Sequence, residues 1–146
     1  MTALTGTIVV APRWCSGYEY TAVGSYALGG AIASADTITW TTLLPQYNDV
    51  QILGLRFWGQ ELDTNASPTG TIIIGDGTTT NNYLESLVCG NTAAAPAQLD
   101  LAGNGVVIGA STYASKNIVA TIGGTIGTAA SSGTVWVSVR YYCQTP

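Results

Sequence analysis

Residues 133–143 read GTVWVSVRYYC, and the side chains alternate in kind along the whole stretch. Val135, Val137, Val139 and Tyr141 fall on one side of an extended chain, and Trp136, Ser138, Arg140 and Tyr142 on the other. Successive side chains of a strand point to opposite faces, so strict alternation predicts one face on a core and the other toward solvent or a partner. With the valines inward, Trp136, Arg140 and Tyr142 are outward and available to a neighbouring molecule.

The rest of the chain repeats this signal in shorter runs. TGTIVVAP near the start is β-branched and stopped by Pro12. In DTITWTTLL, Ile38, Trp40, Thr42 and Leu44 share a face. QILGLRFWGQEL sets Leu53, Leu55 and Phe57 together, with Arg56 opposite. TIIIG reads as a short strand buried on both sides, and NIVATIG aligns Ile118, Ala120 and Ile122. Turn signals separate the runs: SPTG at 67–70, GDGTTTNN at 75–82, GNG at 103–105 and GGTIG at 123–127. No long segment carries a 3.6-residue period without glycine or β-branched interruption, and CGNTAAAPAQLDLAGNG reads as loop. The expected fold is all-β: a single-domain antiparallel β-sandwich, jelly-roll-like, with little or no helix.

Composition narrows the function. Charged residues make up 8% of the 146, against about 25% in ordinary globular chains, yet 47% are hydrophobic. The chain packs a core but carries little acid–base chemistry. It has no histidine, which excludes a Ser-His-Asp triad. The net charge is −4, and Arg13, Arg56, Lys116 and Arg140 are scattered through the sequence. No basic stripe exists to neutralise phosphates, so neither nucleic acid nor an anionic membrane is an expected partner. Neutral surface costs less to desolvate than charge, so part of the exterior is expected to lie against protein. MTALTGTIVVAP has no basic n-region, and an origin in a cytoplasm is expected.

The remaining motifs have plain structural readings. Lys116 could serve a Ser-Lys pair only with Ser115, and adjacent strand side chains point apart. Glu61 and Asp63 could sit together as paired carboxylates, but no apolar pocket is evident to raise one pKa. DTN at 63–65 starts like a calcium loop, yet Pro68 and Ile74 stand where Gly and Glu are needed; a different site using Asp63, Asn65 or Asp76 stays open. GDG at 75–77 lacks the lysine of a phosphate loop and reads as a tight turn. Asn65-Ala66-Ser67 is a formal glycosylation sequon followed by Pro68, and reads as turn. Cys15, Cys89 and Cys143 form no CxxC pair, so no zinc framework is present. They read as buried thiols or, alternatively, as a Cys15–Cys143 bridge tying adjacent terminal strands. The tryptophans Trp14, Trp40, Trp58 and Trp136 are core and interface filler, or a sugar-stacking platform. No catalytic residue, metal or cofactor is expected, and the candidate protein-contact surface is Trp14, Trp136, Arg140 and Tyr142.

The order of short elements resembles a family of tailed-bacteriophage virion structural proteins, small β-sandwich head-decoration or cement proteins. The run begins with YALGGAI (26–32), DTI (36–38), LLP (43–45) and ILGLRF (52–57). ELDTNASPTGTIIIGDG (61–77) is its most specific part, followed by YLES (83–86) and NIVATIGGTIGTAASSGTVWVSVRYY (117–142). Gln46, Tyr47 and Asn48 depart from the family's small-residue turn, and the segment through Ser25 matches none of it. The resemblance implies a non-enzymatic protein bound outside the major capsid lattice, with the major capsid protein and its own copies, as a homotrimer, for partners. Residues 1–25 are then an arm or first strands that contact capsid or neighbouring subunit, and 26–146 the sandwich. Another virion part, such as a head fibre, tail or baseplate β-domain, and a carbohydrate-binding module are the alternatives.

Overall fold

The structure, a computed structural model, describes residues 2–13, 17–45, 50–78 and 117–143, and the backbone of 84–88 and 106–108. Among the described residues there are ten strands: β1 (Ala3–Thr5), β2 (Thr7–Val10), β3 (Glu19–Ala27), β4 (Thr37–Trp40), β5 (Val50–Gly59), β6 (Thr71–Gly75), β7 (Leu84–Val88), β8 (Val106–Ile108), β9 (Ile118–Gly123) and β10 (Thr134–Cys143). Among the described residues there is no helix. Two five-stranded sheets face each other, one in the order β1-β4-β9-β6-β7 (sheet A), the other β2-β3-β10-β5-β8 (sheet B). After β3 the chain changes sheet at every connection except the β6–β7 hairpin, the jelly-roll-like pattern expected of a sandwich. Cys15, Cys89, Trp14, Gln46 to Asn48, Ser115, Lys116 and the 89–105 segment lie outside the described residues.

The core lies between the sheets. From sheet A, Ile38, Trp40, Ile72, Ile74, Ile118, Ala120 and Ile122 are buried. Ala22, Ile52, Leu55, Phe57, Val135, Val137, Val139 and Tyr141 meet them from sheet B. The valine face of β10 is thus the core face, and each such side chain contributes about 1.5–3 kcal/mol of transfer energy.

Three strands differ from their sequence reading. β4 ends at Trp40, because Thr42 takes a φ of 56° and turns the chain, its amide bonded to Asn117 Oδ1 at 2.9 Å. Thr42 therefore drops out of the Ile38–Trp40 face, while Leu43 and Leu44 are both buried beyond the strand. In β5 the pairing slips beside Tyr141: Arg140 faces Gly54 and Tyr141 faces Ile52, leaving Leu53 unpaired. That bulge turns Leu53 half out and puts Val50 and Ile52 in the core instead. β6 alternates, with Ile72 and Ile74 buried and Ile73 only half-buried, so it is not covered on both sides.

The first strand crosses between sheets. β1 pairs with β4 in sheet A, Gly6 breaks the extended run, and β2 pairs with β3 in sheet B. β2 opposes β3, and β4 returns opposite to β3, so β1 and β4 are parallel, an exception to the antiparallel pattern. Trp40 explains the break. Its indole is fully buried, spans the gap between the sheets and donates Nε1–H to the Ser25 carbonyl at 3.0 Å. A Cβ at Gly6 or at Gly24 would fall inside that ring.

Candidate protein-contact surface

The β3–β10–β5 register assembles the outer face of sheet B row by row. Trp136 stands between Ser25 and Trp58, Ser138 between Val23 and Arg56, and Arg140 between Thr21 and Gly54. Tyr142 follows between Glu19 and Gln51. Trp136, Arg140 and Tyr142 therefore share one face, whereas Trp14 lies outside the described residues. Sequence reading left out Arg56 and Trp58. Their signal was in β5, where they alternate with buried Leu55 and Phe57.

The Trp58 and Trp136 rings are stacked, 6.4 Å between centroids with planes 12° apart. Both are half-buried, while Arg56 and Arg140 are exposed. Directly opposed aromatic pairs contribute about 0.2–1 kcal/mol to a sheet. Here they also fix large side chains that a partner can bury at low entropic cost. Beside the stack lies a shallow depression of ≈ 200 Å³, lined by Thr21, Gly54, Leu55, Arg56, Ser138 and Arg140. Gly54 and Ser138 keep its floor low, and the two arginines stand on it as diagonal neighbours. Tryptophan, tyrosine and arginine are the residue types that dominate protein interfaces.

One end of the sandwich is fixed by Tyr141. Its hydroxyl donates to the Arg13 carbonyl at 2.6 Å and accepts from the Arg13 amide at 2.7 Å. Burial pushes the phenol up to about 12; the Arg13 amide that donates to its oxygen opposes the shift, and Cys143 and Tyr20 reinforce it. The Arg13 guanidinium lies 5.9 Å from the Tyr20 ring centroid, a cation–π distance. Cys143 is buried, with Sγ 3.8 Å from the Arg13 carbonyl oxygen.

Asp63 fixes the β5–β6 and β9–β10 connections. Its Oδ1 accepts amides of Asn65 (3.2 Å) and Thr128 (3.1 Å), and its Oδ2 those of Thr69 (3.0 Å) and Gly70 (3.1 Å). Burial favours the neutral acid, but the four donors outweigh it and hold the carboxyl well below the usual carboxylate range. A carboxylate ionised at neutral pH and holding four amides is a turn support, unsuited to general acid work beside Glu61. The calcium candidates are similarly engaged. Asn65 Oδ1 accepts from Ser67 (2.9 Å) and Asp76 Oδ1 from Thr78 (2.8 Å). No three His, Cys, Asp or Glu side chains gather among the described residues.

Neither a known protein family nor a curated protein sequence matches the chain. Solved structures do share its fold. A chain of the cyanophage Pam1 capsid asymmetric unit superposes with a TM-score of 0.66 at 23% identity, over 91% of this chain and 89% of that one. A chain of the capsid of Ralstonia phage GP4 gives a TM-score of 0.55 at 15% identity, over 99% of each.

Proposed function

We propose that this chain is a non-enzymatic virion structural protein, a decoration or cement protein bound to the outside of a phage capsid. The observation that carries the reading is the likeness in fold, over nearly the whole chain, to chains from two phage capsids. The outer face of sheet B supports it: two stacked tryptophans and two exposed arginines on an otherwise charge-poor molecule suit burial against protein. The partners in this reading are the major capsid protein and two further copies in a homotrimer. Attachment then works by repetition. Each trimer offers three copies of a weak contact to a symmetric lattice, and effective concentration multiplies them.

Imaging the purified particle with this chain located in it is the test. Density for the sandwich at symmetric positions on the outer shell is the expected result. Density confined to a fibre, tail or baseplate would move the chain to another virion part, and absence from the particle would reject both. The Trp58–Trp136 pair also favours a second reading, a carbohydrate-binding module. Glycan-array binding lost on Trp136→Ala would establish it, and a silent array would remove it.

A further inference from the structure

We propose that β2 is a self-association seam: the β2 strands of two copies of this chain pair antiparallel across a two-fold axis and join their two B sheets into one. The seam lies apart from the outer face of sheet B, and it holds whether or not the chain belongs to a capsid. It is also distinct from the homotrimer of the capsid reading, whose ring needs heterologous contacts.

Unburied side chains mark the place. The large apolar or aromatic residues exposed among those described are Ile8 (37%), Val9 (49%), Val10 (45%) and Tyr18 (62%). Three of the four are consecutive in β2. A strand of a sandwich ordinarily buries the side turned to the opposite sheet. β2 buries neither side, since all four of its residues are exposed. Ile8 stands opposite Gly24, whose neighbour in β10 is the buried Val137, so it is on the core side and still meets solvent. Contiguous apolar exposure of this kind marks an interaction site.

The backbone fixes the kind of interaction. β2 is the end strand of sheet B and pairs only with β3 among the described strands. An edge strand turns alternate N–H and C=O groups outward, a template that another strand completes. β1 continues the same edge. The Thr37 amide donates to the Thr2 carbonyl and the Gly6 amide to that of Thr39, so Ala3 and Thr5 point their own groups away from β4. Main-chain pairing supplies the attraction at such an edge, and the side chains beside it select the strand that fits.

Charge and symmetry select that strand. No charged side chain precedes Arg13, and the chain carries −4 in total. Two copies repel each other as wholes but meet at β2 with no like charges opposed. Open edges are commonly guarded by lysine, and TIVV has none. The strand that suits it is uncharged, β-branched and apolar on both sides, which describes β2 itself. An antiparallel two-fold pair is also closed: each edge covers the other, and no third copy adds there. The register shift between Ile8 and Val10, and Pro12 beyond it, hold the seam to one short strand. The association is accordingly weak and depends on concentration.

Analytical ultracentrifugation of the purified full chain over a range of concentrations is the test. Wild type is expected to pass from single copies to pairs as concentration rises, or from trimers to pairs of trimers. Val9→Lys sets two ammonium groups near the two-fold axis and should weaken the association about tenfold or more. A one-to-one mixture of Val9→Lys and Val9→Glu proteins should restore it, which repair of a folding defect would not explain. Val9→Cys should give a disulfide-linked dimer on mild oxidation, because opposed residues of an antiparallel pair have Cα atoms about 4.5–5.5 Å apart, within disulfide reach. Thr5→Cys, far from the axis, and wild type with its own three cysteines should give none. Circular dichroism identifies a variant that fails to fold, and the Val9→Cys cross-link then decides. A wild type that never pairs, or that pairs equally well as Val9→Lys, would overturn the proposal. So would a mixture no stronger than its separate components. Trimers that form without pairing overturn the seam alone and leave the capsid reading standing.

Discussion

Replacing Tyr141 by phenylalanine deletes one oxygen and leaves the fully buried ring in place. That oxygen holds both the amide and the carbonyl of Arg13, at 2.7 and 2.6 Å, and so fixes the segment that follows β2. A hydrogen bond is worth about 0.5–1.5 kcal/mol net, so the pair amounts to about 2 kcal/mol. Water can reach the exposed Arg13, which keeps the loss from the full cost of two orphaned buried groups. For a domain of this size the melting temperature should drop by roughly 6–8 °C at neutral pH.

The same oxygen gives a second, independent readout. Its pKa is raised to about 12 in the fold, against about 10 for an ordinary phenol. A raised folded-state value means that the contribution is complete below pH 10 and is lost as pH climbs toward 12. Tyr141's contribution falls away through that window, so wild type and Tyr141→Phe should converge in stability between pH 10 and 12. Urea unfolding of both proteins at stepped alkaline pH measures the difference, and subtracting one from the other cancels the remaining tyrosines. A phenylalanine variant as stable as wild type at pH 7, or a difference that does not shrink above pH 10, would refute the reasoning.

Gly24→Ala should destabilise the fold by about 1–3 kcal/mol in urea unfolding, because its Cβ enters the buried Trp40 ring. Asp63→Asn should lower the melting temperature at neutral pH and flatten its acid dependence. The carboxyl's depressed pKa stabilises the wild type above the unfolded value of about 3.9, and this is lost as pH falls below it. Deleting residues 2–12 should cost stability as well as any particle attachment, since it strips β1 and β2 and uncovers Trp40; equal melting temperatures would contradict this. Cys143 Sγ donates to the Arg13 carbonyl at 3.8 Å, a contact of a buried thiol, the first of the two cysteine readings; the alternative is a Cys15–Cys143 bridge. Mass spectrometry of the unreduced protein should find the Cys143 peptide alkylated, and a Cys15–Cys143 cross-linked peptide would establish the bridge instead.

How much was legible depended on where the cause of each feature sits. The β10 face was plain because alternation is local, and Val135, Val137 and Val139 are buried as the pattern requires. The Leu53 bulge was not, because it is set by the register with β10, a strand far along the chain. Neither was the break at Gly6, whose reason is the indole of Trp40. A local pattern cannot report a ring arriving from the opposite sheet. The candidate surface divides in the same way. Which side Trp136, Arg140 and Tyr142 face is written in their spacing. That Arg56 lies beside Arg140, and Trp58 on Trp136, is written only in the β5–β10 pairing.

The strand order of sheet B also sets a schedule for synthesis. β10, the last of the ten strands to leave the ribosome, lies at the centre of the sheet and joins β3 to β5. Until residues 134–143 emerge from the exit tunnel, β2–β3 and β5–β8 are two fragments with no hydrogen bonds to each other, and the core has no Val135, Val137 or Val139. The fold cannot be completed early, and its outer face, whose middle strand is β10, is incomplete before then. A partner that reads that face therefore has no complete surface to bind until β10 has emerged and paired.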